Sequence, residues 1–112
     1  MKTYTINARN FGANFIQALK SGIYKQNRCG LTANGGYCCL GVVCKMFNIS
    51  DDDIRFRQWI PRNNPKFKHI PKEIQGNGTE SELARVLSEL NDKKMLSFTE
   101  IADWIEQNVE FI

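Results

Sequence analysis

Apolar side chains return at helical spacing at Phe11, Phe15, Ala18, Leu19 and Gly22, predicting an amphipathic helix over residues 7–21. Lys20 falls in its last turn, Gly22 suits the left-handed position that ends helices, and Ile23 offers the hydrophobic contact such an ending uses. Two short runs, 28–33 and 36–38, flank Asn34-Gly35. That dipeptide tolerates positive φ at both turn positions, which makes it a strong hairpin signal. Between residues 39 and 47 only Lys45 is polar. Cys39, Val42, Val43 and Met46 fall at i, i+3, i+4, i+7, so the run reads as a buried helix stopped at Asn48.

Residues 49–78 are less regular. Ser50 and Asp53 predict a capped turn of helix, and the partial alternation over 54–59 predicts a third strand. Pro61, Pro65 and Pro71 interrupt the next fifteen or so positions, and Gly76-Asn77-Gly78 reads as a loop. Beyond it, Thr79 and Glu82 form a capping box ahead of Leu83, Val86, Leu87 and Leu90. A second box, Ser97 and Glu100, precedes Ile101, Trp104, Ile105 and Val109, with Leu96 placed to staple onto Ile101. Two helices joined by residues 91–96 are expected to pack as an antiparallel pair. The pattern defines a single α+β domain over 1–112, helix-dominated, with three or four helices and a small β-hairpin.

Length and composition narrow the class. A chain of 112 residues buries roughly two-thirds of its unfolded surface, enough for one core without disulfides or metals. No run of 18 apolar residues occurs, and the first residues lack the apolar stretch of a signal peptide, so a cytoplasmic protein with no membrane partner is expected. Net charge is +3, unevenly spread. Residues 1–50 hold six Lys or Arg and no acid, whereas residues 74–112 hold three basic and eight acidic groups. Such a basic front steers an anionic partner toward itself, or is simply a solvated face.

Three of the four cysteines fall in Tyr37-Cys38-Cys39-Leu40-Gly41-Val42-Val43-Cys44. Structural zinc sites use two short ligand pairs, a spacing missing here, and His69 is the lone imidazole. On a helix Cys39 and Cys44 point about 140° apart. A catalytic thiol needs an electropositive, partly exposed setting, which suits Cys38 best. The leading reading of the cluster is core packing, since free cysteine is among the most buried residue types. The chain therefore calls for no metal, no cofactor and no catalytic set. Asp51-Asp52-Asp53 lacks calcium-loop spacing, and the glycines match no phosphate loop. The start of the 39–47 helix, with Lys25 and Arg28 near in sequence, suggests an anion site. Ser97-Phe98-Thr99-Glu100-Ile101-Ala102 echoes a helix-turn-helix, but acids occupy the outer face of that helix.

Three stretches carry a resemblance. They are Ala18-Leu19-Lys20-Ser21-Gly22-Ile23-Tyr24-Lys25-Gln26, the cysteine motif 37–44, and Leu90-Asn91-Asp92 with residues 97–106. The chain resembles a family of small proteins encoded by tailed phages and prophages. That likeness implies an accessory role in the cytoplasm of an infected host cell, counter-defence being one such role, and no reaction chemistry. The expected function is a non-enzymatic protein that occupies a host protein or sequesters a small anionic ligand. Its contacts are Lys20, Tyr24, Lys25, Gln26, Arg28 and Tyr37, with Asn91 and Asp92 at the later turn; capping and turn-making are the plain alternative for the polar ones. Two rival functions are a nucleic-acid binder on the same basic face, using Tyr24, Arg28, Tyr37, Arg57 or Trp59, and a small thiol- or metal-dependent hydrolase.

Overall fold

Helix α1 (Arg9–Lys20) buries Phe11, Phe15 and Leu19 along one face, as their spacing predicts, in a computed structural model that describes residues 2–112. Gly22 takes φ +76° past the helix end. Ile23, however, is 77% exposed, so the expected apolar contact is not made. The Ser21 hydroxyl closes the turn instead, accepting from Ile23 N–H and donating to the Ala18 carbonyl.

The hairpin forms between β2 (Thr32–Ala33) and β3 (Gly36–Tyr37), with Asn34 at φ 54° and Gly35 at φ 77°. Strands this short need support. Residues 25–27 supply it along the free edge of β3: Tyr37 N–H donates to Lys25 O at 2.8 Å, and Asn27 N–H to Tyr37 O at 2.8 Å. Helix α2 (Cys39–Met46) starts two residues later, buried from Cys39 to Cys44. It ends as expected near Asn48, at φ 60°. Gly41 has a packing reason, for a Cβ there would sit 1.9 Å from the Leu31 carbonyl oxygen.

One turn of helix, α3 (Asp51–Ile54), begins after Ser50, whose hydroxyl bonds the Asp53 carboxylate rather than a backbone N–H. The third strand expected over 54–59 does not form. Phe56 adopts φ 65°, which breaks any extended run, and the segment is held by Leu31 N–H donating to Arg57 O at 2.8 Å. Two 3-10 turns, Pro65–Phe67 and Lys72–Ile74, then help insert Phe67, Ile70 and Ile74 into the core.

Helix α4 (Glu82–Asp92) is capped by Ser81, which accepts from Ala84 N–H, and not by Thr79. Thr79 is taken by the Asn77 side chain, which accepts from its hydroxyl at 2.6 Å. Helix α5 (Phe98–Asn108) carries the expected Ser97–Glu100 capping box in full. It touches α4 but packs most extensively on α1. Past α5 the chain runs straight into β4 (Val109–Phe111), which pairs in parallel with β1 (Tyr4–Ile6). Phe111 then lies over Gly12 of α1, where a Cβ would meet its ring at 2.4 Å. Among the described residues, five helices, a hairpin and this parallel pair share one core, an α+β arrangement. No described helix is long and apolar enough to cross a membrane.

Candidate functional site

Much of the amino-terminal positive charge is spent inside the molecule. Lys20 on α1 reaches Glu106 at 2.9 Å and Asp103 at 3.5 Å on α5, and the bond to Glu106 raises its pKa. Lys45 bonds Asp51 at 2.9 Å, and Tyr37 donates to both Asp51 oxygens at 2.9 and 3.0 Å. These partners hold the Asp51 carboxyl below its usual value, the lysine foremost. Burial, with Asp51 next, pushes the Tyr37 phenol up. Tyr24 packs edge-on against Tyr37 at 5.9 Å. The uneven charge of the sequence thus serves in part to join elements far apart in the chain.

Gln26, Arg28, Asn91 and Asp92 form a second network. The Gln26 amide donates to Asn91 Oδ1 at 2.8 Å and to Leu96 O at 2.9 Å. Arg28 donates to the carbonyls of Asn91, Met95 and Leu96 at 2.6, 3.3 and 2.9 Å. A guanidinium at the carboxy end of α4 both satisfies orphan carbonyls and opposes the helix dipole. Asn91, fully buried, donates to Asn27 O at 2.9 Å. Asp92 accepts from Cys29 N–H at 2.9 Å, Asn91 at 2.8 Å, Gln58 at 3.3 Å and Ser88 at 3.4 Å. These side chains clamp the 26–30 loop to the end of α4. Lys25 remains exposed, without a side-chain partner among the described residues.

The thiols separate sharply. Cys38, Cys39 and Cys44 are buried, and burial pushes Cys38 and Cys44 up to about 12 and Cys39 well above its ordinary value. Cys38 is thereby the opposite of the partly exposed, activated thiol that its sequence setting suggests. The first turn of α2 is buried from Cys38 to Gly41, so the helix start suggested as an anion site is closed. Cys29 alone of the four is exposed. Among the described residues, no three His, Cys, Asp or Glu side chains gather as a metal site would require.

The open surface lies elsewhere. Two grooves meet on a ridge made by Cys29 and Gln58, which line both. The hairpin-side groove, about 760 Å³, runs between β2 and the 55–57 turn. The helix-side groove, about 600 Å³, is bounded by Trp59, Asn77, Thr79, Arg85 and Lys93, with Ser88 and Asp92 also lining it. Gly30 N–H donating to Gln58 Oε1 at 3.1 Å ties the ridge to its floor. Of the eight contact residues expected from sequence, Asp92 lines a groove. Arg57 and Trp59, expected only for nucleic-acid binding, line one groove each. Phe56, Arg85 and Lys93 line the grooves without being expected from sequence. The Arg55-Phe56-Arg57 triplet is the signal that could have found the first of them: an aromatic between two cations belongs poorly in any core.

Fold and surface together define a small α+β domain with a double groove on a hydrogen-bonded floor and its chemically reactive thiols mostly sealed in the core. The chain belongs to the family described as "Domain of unknown function (DUF8296)", whose model matches residues 8–74, from the start of α1 through the second 3-10 turn. No curated protein and no solved structure matches it.

Proposed function

We propose that this is a non-enzymatic binding protein that occupies a partner protein at the helix-side groove. In keeping with its resemblance to small tailed-phage proteins, the partner is a host protein in the infected cell. The observation that carries this reading is the groove's fixed floor. Asp92, Gln58 and Ser88 are locked to one another and to the loop backbone, beneath walls supplied by Trp59 and Arg85. Tryptophan is among the side chains that anchor protein interfaces most often, Arg85 is held in place by Glu89 at 3.1 Å, and a site already held in place loses little freedom on binding. Sequestration of a small anion by the amino-terminal face is the weaker reading, because Lys20, Arg28 and Lys45 are committed to internal partners.

Capture of a host protein by the intact chain should be lost in Thr79→Arg, which blocks the groove from an exposed loop, and in Lys93→Glu. Lys25→Glu should leave capture unchanged. Loss in Lys25→Glu with retention in Thr79→Arg would return the contact to the amino-terminal face. A nucleic-acid ligand would declare itself by affinity that falls steeply with salt.

A further inference from the structure

Residues 62–72 hold four basic side chains, Arg62, Lys66, Lys68 and Lys72, and no acid. Two of the four are committed within the molecule. Lys66 pairs with Asp53 at 2.8 Å, and Arg62 donates to the carbonyls of Gln75 and Glu80 at 3.0 and 2.9 Å. Lys68 and Lys72 are exposed, and neither ammonium has a partner among the described residues. Glu73, the next acid along the chain, turns its carboxylate to Asn7 N–H at 3.1 Å. Both free lysines line a pocket of about 330 Å³ that shares no lining residue with either groove.

Gln75 lines the same pocket although it is only 7% exposed. Its amide nitrogen donates to Phe67 O at 3.1 Å and to Ile70 O at 2.7 Å. Those bonds fix the orientation of the amide, because a flip would set its oxygen against two carbonyl oxygens. The oxygen, Oε1, has no hydrogen-bond partner among the described residues. No fully buried side-chain polar atom among them lacks a partner, so Oε1 is reached from outside, through the pocket it lines. An acceptor so nearly buried, and held this rigidly, calls for a donor.

We propose that this pocket binds a small phosphate monoester that carries its own hydroxyl group. The phosphate sits between the ammonium groups of Lys68 and Lys72, and the hydroxyl donates to Gln75 Oε1. A phosphate monoester brings close to two negative charges at neutral pH, which matches two unpaired lysines. Lysine meets phosphate as a point charge, whereas a carboxylate is best read by the planar fork of an arginine, and Arg62 is already committed. The volume lies at the small end of the range that holds small molecules and exceeds what a bare ion fills. Charge alone would be met by any dianion; the fixed acceptor adds the demand for a hydroxyl.

Isothermal titration of the full chain with α-glycerophosphate tests the proposal. Propyl phosphate, which has the same carbon chain without hydroxyls, should bind at least about tenfold more weakly, and glycerol should not bind. Lys68→Glu and Lys72→Glu, both at exposed positions, should each lower the affinity for α-glycerophosphate by about tenfold or more. Lys25→Glu should leave it unchanged. In proton–nitrogen correlation spectra the Gln75 side-chain amide signals should move with α-glycerophosphate and stay in place with propyl phosphate. Absence of binding by α-glycerophosphate, equal affinity for propyl phosphate, or parental affinity in the two lysine variants would overturn the assignment. So would binding that leaves the Gln75 amide signals unmoved.

Discussion

The cysteine motif 37–44 and the segment 55–60 lie on either side of Leu31, and they solve opposite problems. The motif places buried side chains on a helix whose one small residue, Gly41, admits the Leu31 carbonyl. The segment takes the Leu31 N–H on Arg57 O and sends Phe56 into water. One side of the same residue is sealed and the other is left open, with local strain, at the edge of the larger groove. Chemical reactivity of side chains is therefore a poor guide to the open surface: the motif's thiols are buried, and the exposed aromatic lies on a turn with no reactive group.

The sharpest way to break this contrast is Gly41→Ala. The added methyl would collide with backbone that the 55–60 segment also holds, and overpacking against backbone costs about 3 kcal/mol. Thermal unfolding should show the midpoint falling on the order of 10 °C. A change of a degree or two would mean that Leu31 is free to move and that the two regions are not coupled through it.

Next in size is Arg28→Ala, which strips the end of α4 of a charged donor and should cost about 2 kcal/mol in denaturant unfolding. Lys25→Ala, on the same stretch but unpaired, should fall within about 0.5 kcal/mol of the parent. Equal effects would show that Arg28 is not the clamp.

Phe56→Gly should move the other way. Glycine adopts φ 65° without strain, so dilute protein should gain about 1 kcal/mol of stability by the same unfolding measurement. Loss of stability would show Phe56 to be packed, contrary to its exposure.

The smallest effect concerns Asp51. Its carboxyl titrates below the ordinary 3.8 because Lys45 and Tyr37 bond the charged form. A depressed folded pKa contributes stability above the unfolded value, lost as pH falls below 3.8 through the folded value. Asp51→Asn should flatten the acid limb of the stability curve below about pH 4 while leaving other slopes in place.

How far the sequence foretells this molecule depends on the reach of each signal. Asn34-Gly35, the Ser97–Glu100 box and the spacing of α1 and α2 are local, and each forms as its pattern predicts. The strand expected over 54–59 fails because alternation cannot register that Phe56 turns the chain with positive φ. Thr79 loses the α4 cap to Ser81 through a competing bond from its own hydroxyl to Asn77. The β1–β4 pair joins three-residue strands from opposite ends of the chain, too short and too distant to leave a pattern. Gln26, Arg28, Asn91 and Asp92 stand out in the sequence as polar residues in turns, and they do converge. Their partners lie some sixty residues away in sequence, so whether they face a ligand or the chain itself is not legible there.

The most direct test of the binding-face assignment is a photocrosslinking scan in host cells. A photoreactive residue would be placed singly at Thr79, Lys93, Lys25 and Gln17, all exposed positions. The account predicts one host protein joined at Thr79 and Lys93, with Lys25 and Gln17 silent. The same protein joined at Lys25 and absent from Thr79 and Lys93 would contradict it.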